Sequence, residues 1–218
     1  MKRTELLNYR FRLAFYPFVF VSNKINWRMG RSYKCNKLDI NSIRHLLHPG
    51  MVVLSHKDYE FTNVFIKGYW THSAIVIDPF HLVEATSKGV ETKRINDFIT
   101  SVDDFIVLRP SFCNAFEMEQ ACWYVKKVIG FPYNFTFLHG RKAFYCTELI
   151  YWAYMLACRD LPARLEMDKK INGKILNPQV IFESRNSWQT VGCKHSASLS
   201  CICNDSLEDI CRLKSNSA

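Results

Sequence analysis

Thr71-His72-Ser73-Ala74-Ile75-Val76-Ile77-Asp78-Pro79-Phe80-His81-Leu82-Val83-Glu84-Ala85-Thr86 decides the fold. Two runs dominated by apolar and β-branched residues flank Asp78-Pro79-Phe80, where Asp-Pro is a turn signal. Each run is too short for an ordinary helix and reads as a strand. So short a separation leaves room only for antiparallel pairing. Working outward, Met51 to Ser55 (MVVLS), Gly89 to Thr92 (GVET) and Phe105 to Leu108 (FIVL) read as further strands. The period then changes. Asn114 with Glu117 three residues later forms a helix-capping pair, followed by an apolar face of Met118, Ala121, Cys122, Val125, Val128 and Ile129 that should stop at Gly130, before Pro132. A second long helix is predicted from about Cys146 to Cys158, with Leu161-Pro162 beyond its end. Strands first and helices after them argue an α+β fold rather than a parallel βαβ sheet.

The chain has 218 residues, 48% apolar and 22% charged, as one globular domain with appendages should. Three zones are expected: a basic, aromatic N-terminal segment at 1–48, the domain at 49–191, and a Cys/Ser-rich tail at 192–218. Of the net charge of +9, +8 falls between Met1 and Arg44, where ten Lys or Arg face only Glu5 and Asp39. The rest of the chain is close to neutral, so a nucleic-acid-binding body is disfavoured. Neither GxxxxGK[ST] nor GxGxxG occurs, and nucleotide chemistry has no local support. No apolar run reaches the roughly 18 residues a spanning helix needs. Leu13 to Val21 resembles a signal-peptide core but lacks a small-x-small cleavage site, so it is read as uncleaved. An odd count of nine cysteines argues for reduced thiols and a cytoplasmic setting. Cys193, Cys201, Cys203 and Cys211, with His195 nearby, fall as C-x7-C-x-C-x7-C rather than in the usual C-x2-4-C zinc pairs, and no metal site is expected there.

His72 and Glu84 are the first candidates for chemistry. Both are even-numbered, and a connection with an odd number of residues pairs even with even, placing both side chains on one sheet face as diagonal neighbours. At that separation a carboxylate can orient an imidazole. On spacing alone, the plainer reading makes His72 a partly exposed strand residue and Glu84 a solvent-facing one. Cys146 opens the second helix, where unpaired N–H groups and a partial positive charge favour a thiolate. An ordinary buried cysteine fits the same position. His139 precedes Cys146 closely and competes with His72 for the role of base.

Six blocks carry more information than their periodicity. They are Pro49 to Leu54, Thr62 to Ile77, Val83 to Val90, Val107 to Pro110, Gly130 to Phe135 (GFPYNF) and Tyr145 to Ile150 (YCTELI). In that order and with those gaps they resemble the YiiX-like, circularly permuted branch of the NlpC-type papain-like hydrolases, over roughly residues 49 to 190. The resemblance implies a small antiparallel sheet or half-barrel packed against the nucleophile helix. It also implies a triad in chain order His72, Glu84, Cys146, with the oxyanion held by the Cys146 N–H and a second donor for which Tyr145 is a guess.

The implied reaction is hydrolysis or acyl transfer at an amide or ester of a peptide-bearing or lipid-like substrate, without a cofactor and without nucleic acid. The aromatic, basic stretch at 1–44 suits peripheral contact with an anionic membrane, and equally a helix covering the core. The rival reading is a non-catalytic, membrane-associated binding protein on the same fold.

Overall fold

The computed structural model describes residues 33–58, 68–135, 142–158, 177–195 and 198–201. In chain order these form α1 (Lys37–Asn41), β1 (Val52–His56), β2 (His72–Asp78), β3 (His81–Thr86), β4 (Gly89–Arg94), α2 (Ile95–Ile99), β5 (Asp104–Pro110), α3 (Ala115–Lys127), α4 (Cys146–Ala157), α5 (Pro178–Glu183), β6 (Trp188–His195) and β7 (Ser198–Cys201). The strands make one sheet in the order β4-β3-β2-β1-β5-β6-β7, with every neighbouring pair antiparallel. The fold is α+β, with all five strands read from the sequence in place.

Alternation along the strands sends successive side chains to opposite faces, and each face has its own core. Val52, Leu54, Ile75, Val83, Ile106 and Leu108 pack with Ala121 and Val125 of α3 and Leu149, Ile150 and Ala153 of α4. Val53, Ala74, Val76, Leu82, Phe105 and Val107 pack on the other face with Ile40 of α1 and Ile95, Phe98 and Ile99 of α2. The sheet is therefore the middle layer of a three-layer body, which explains why its central strands are apolar in both registers.

The predicted capping pair at α3 forms as read: Asn114 Oδ1 accepts from the Glu117 N–H at 2.9 Å and Glu117 Oε2 accepts from the Asn114 N–H at 2.9 Å. The helix closes slightly early, with Val128 as its C-cap. Gly130 follows at φ 89°, so Ile129 leaves the apolar face and is exposed.

Two boundaries differ from the sequence reading. Cys35, Ile40, Ile43 and Leu47, assigned to the N-terminal segment, are buried in the second core. The sheet also continues past residue 191, because β6 covers the open edge of β5 and β7 pairs on β6. An uncovered strand edge exposes unpaired backbone groups, and a stretch as polar as Thr190-Val191-Gly192-Cys193-Lys194 can still supply a strand whose affinity lies in its backbone. Gly192 serves the same junction, since a Cβ there would stand 2.9 Å from Ile43 Cγ2. Residues 1–32, with the signal-like Leu13–Val21 run, lie outside the described residues, as do Cys203 and Cys211. Among the described residues no helix is long and apolar enough to cross a membrane.

Candidate active site

Cys146 is the first residue of α4 and 5% exposed. Helix starts leave N–H groups without helical partners; here Glu148, also buried, turns its Oε2 back to accept from the Tyr145 N–H at 3.3 Å and from Asn134 Nδ2 at 2.9 Å. Glu148 thereby ties the helix start to the GFPYNF segment, whose backbone meets Phe144 through Asn134 N–H to Phe144 O and Phe144 N–H to Pro132 O, each 3.1 Å. Beside the thiol, Thr147 Oγ1 lies 3.7 Å from Cys146 Sγ and 3.4 Å from Ser73 Oγ on β2.

His72 begins β2 and Glu84 lies on β3. Glu84 is the Cα partner of Ala74, so His72 is its diagonal neighbour on one sheet face, and the two side chains join through His72 Nε2 and Glu84 Oε2 at 2.7 Å. The parity expected from sequence is met by a different route. The connection is not a three-residue link: Asp78 pairs with His81, leaving only Pro79 and Phe80 in the turn, which by itself would pair even positions with odd. A β-bulge between Val76 and Asp78 absorbs one residue and restores even-to-even pairing. Asp78 joins the strand because its carboxylate staples the turn, accepting from the N–H groups of Phe80 at 2.7 Å and His81 at 2.8 Å.

Electrostatics couple the three groups. Burial disfavours charge on His72, but hydrogen bonds to Cys146 and Glu84 outweigh it and carry the imidazole from 6.5 up to about 10. Burial likewise opposes charge on Cys146, yet the hydrogen bond to His72 and the imidazolium charge, helped by Thr147 and Ser73, bring the thiol below its ordinary 9.0. Glu84, resisting burial through His72 and then Lys93, falls from 4.5 to about 2. With Nε2 held by Glu84, Nδ1 is the nitrogen left to face the thiol. The arrangement favours a thiolate beside an imidazolium backed by a carboxylate.

The structure adds residues that the sequence reading missed. Lys93 Nζ stands 3.3 Å from Glu84 Oε1 and 5.5 Å above the Phe98 ring, which in turn lies 6.0 Å from the His72 ring. Leu82, two residues before Glu84, is the Cα partner of Lys93; same-face alternation on β4 was the available signal, but it needs the register first. Tyr133 is the second. Burial pushes its hydroxyl well above 10, and the charges of Cys146, Tyr145 and Glu148 push the same way, so it stays protonated. Its block was legible in sequence, its role was not. Tyr145 packs in the core beside Phe144 and Leu149. His139 lies outside the described residues.

Among solved structures, the crystal structure of metalloprotein yiiX from Escherichia coli O157:H7 has the same fold at a TM-score of 0.53 and 16% identity, covering 67% of this chain and 97% of that one. No curated protein matches the sequence. The family model described as permuted papain-like amidase enzyme, YaeF/YiiX, C92 family, matches residues 46–208. A match over most of the chain settles its kinship: this protein belongs to the YaeF/YiiX, C92 family of permuted papain-like amidases.

Proposed function

We propose that the protein hydrolyses an amide or ester bond through Cys146, His72 and Glu84. The observation that supports this most is the charged Glu84–His72 pair aimed at a thiol on a helix start. In this reading the Cys146 thiolate attacks the substrate carbonyl carbon, and the electron pair of the C=O bond moves to oxygen. The Cys146 N–H and the Tyr133 hydroxyl, in place of Tyr145, donate to that oxyanion. As the oxyanion collapses, the C–N or C–O bond breaks and His72 gives its proton to the departing amine or alcohol, leaving a thioester on Cys146. Water then loses a proton to His72 and attacks the thioester carbon, which releases a carboxylic acid and restores the ion pair. Glu84 holds the imidazole and offsets its charge throughout.

No step is routed through a metal. The bacterial structural neighbour is titled a metalloprotein, but among the described residues of this chain no group of three or more His, Cys, Asp or Glu could hold a metal ion. The residues described do not fit such a centre.

The test is covalent capture with an iodoacetamide-type or acyl fluorophosphonate probe, followed by profiling of lipids and amide metabolites against a Cys146→Ser strain. Selective capture at Cys146, lost in His72→Ala, with an acylated species that accumulates in the Cys146→Ser strain, is the expected result. Capture no faster at Cys146 than at other thiols, with unchanged profiles, would return the chain to the binding-protein reading.

A further inference from the structure

At the end of the β2–β3 hairpin away from His72, a cavity of about 380 Å³ opens between the Pro79-Phe80 turn, α1 and the start of α2. β2 has seven residues, so at roughly 3.3 Å per residue this cavity stands about 20 Å along the strand from His72. Three cations line it, Lys37, Arg44 and Arg94, against one carboxylate, Asp97.

Arg44 is clamped. Its Nη1 donates to Pro79 O at 2.8 Å, its Nη2 to Asn41 Oδ1 at 2.8 Å and also to Asn96 Oδ1, and its Nε to Asn41 Oδ1 at 3.3 Å. Four of the five N–H donors of a guanidinium are thus used and one on Nη1 is left over. Lys37 and Arg94 are exposed, and their side chains form no ion pair or hydrogen bond among the described residues. Phe80 is 60% exposed yet lies under the Arg44 guanidinium, 5.1 Å from its centroid. His81, the remaining titratable group, is held by Asp78, with Nδ1 3.0 Å from Oδ2, so Asp78 is engaged by His81 and by the turn N–H groups rather than by the cations.

We propose that this cavity is an anion site for a phosphate monoester, separate from the Cys146 centre and independent of its chemistry. The charge argues for it: three cations less one carboxylate leave an excess of two, and a phosphate monoester carries about −1.5 to −2 at neutral pH. Pre-positioning argues for it as well, since Arg44 and the stapled turn are already fixed and binding need order only Lys37 and Arg94. The volume lies at the lower end of the roughly 300–1,000 Å³ typical of small-ligand pockets, room for a phosphate with a short organic arm against the Phe80 ring. Such a group reaches the protein either on a soluble metabolite or on a lipid headgroup.

The experiment uses the full chain and two probes with the same headgroup chemistry: glycerol 3-phosphate, read by the shift in unfolding temperature against sodium chloride of equal ionic strength, and phosphatidylcholine vesicles with and without phosphatidic acid, read by co-sedimentation. The variant is Lys37→Glu with Arg94→Glu, both exposed and outside the structural bonds that Arg44 makes; an unchanged unfolding temperature without ligand confirms that it folds. The expected result is half-saturation by at least one probe weakened tenfold or more in the variant. Response to glycerol 3-phosphate names a soluble ligand; response to phosphatidic acid vesicles alone names a lipid. The basic residues at 1–32 remain in the variant, so vesicle binding through that segment would persist. No response to either probe beyond the salt control, or equal responses from variant and wild type, overturns the proposal.

Discussion

Replacing Glu84 by Gln keeps the size and one acceptor oxygen and removes the charge behind His72. The bond at stake is a charge-assisted one of 2.7 Å, made to a carboxylate that is 3% exposed. Hydrogen bonds to charged groups contribute about 1.5–3 kcal/mol, which at about 1.36 kcal/mol per pH unit is about 1.1–2.2 units. The imidazole, carried to about 10 in the native protein, should then lose its proton near pH 8–9 by the same conversion. The Lys93 ammonium, left without its partner carboxylate, adds to the drop.

A substrate is not required to see this. The imidazole C–H resonances of the seven histidines are followed by NMR across pH, with His72 assigned by the signal lost in His72→Gln. Stability must follow in sign. A group raised from 6.5 to about 10 contributes stability fully present below pH 6.5 and lost as pH rises through 10, so Glu84→Gln should flatten the fall in urea stability between those values. A wild-type His72 that titrates near 6.5 would leave Cys146 without its imidazolium, and a midpoint that Glu84→Gln does not move would remove Glu84 as its support; either result refutes the reasoning.

Three other outcomes are expected. Brief iodoacetamide treatment at pH 6, resolved by peptide mass spectrometry, should label Cys146 ahead of Cys35 and Cys122: burial pushes those two up to about 12, and even an ordinary thiol near 8.5 is only about 0.3% ionised there. His72→Ala should erase that preference. Lys93→Met should raise the Glu84 carboxyl from about 2 towards its unfolded 4.5, so the stability that wild type loses as pH falls through that window is smaller in the variant, as denaturation at pH 6 and pH 3 can measure. Deleting residues 1–44 removes the buried Ile40 and Ile43, at about 1.5–3 kcal/mol each, and should lower the unfolding temperature sharply, as a thermal melt against the full chain can measure.

The capping pair at Asn114 and the start of the helix at Cys146 were legible because their signals are local: a side chain three residues from the N–H it accepts from, and an apolar period contained within one helix. The strands of the central sheet were legible for the same reason, as was the parity that puts His72 and Glu84 on one face. What local pattern could not carry was the means. The turn at Pro79-Phe80 is one residue shorter than the sequence suggests, and the bulge that compensates for it follows from how the hairpin twists and pairs.

The chain by itself therefore determined its α+β order and the three residues proposed for chemistry, since each is announced by neighbours within a few positions or by the six ordered blocks. The tertiary structure alone decided which groups stand around them. Lys93 reaches Glu84 only across a strand pair, the GFPYNF segment meets the start of α4 only because Glu148 and Asn134 join, and β6 becomes a strand only because β5 offers an open edge. Charge and burial at the site are sums over such through-space neighbours, and those distances are not written in any one stretch of the sequence.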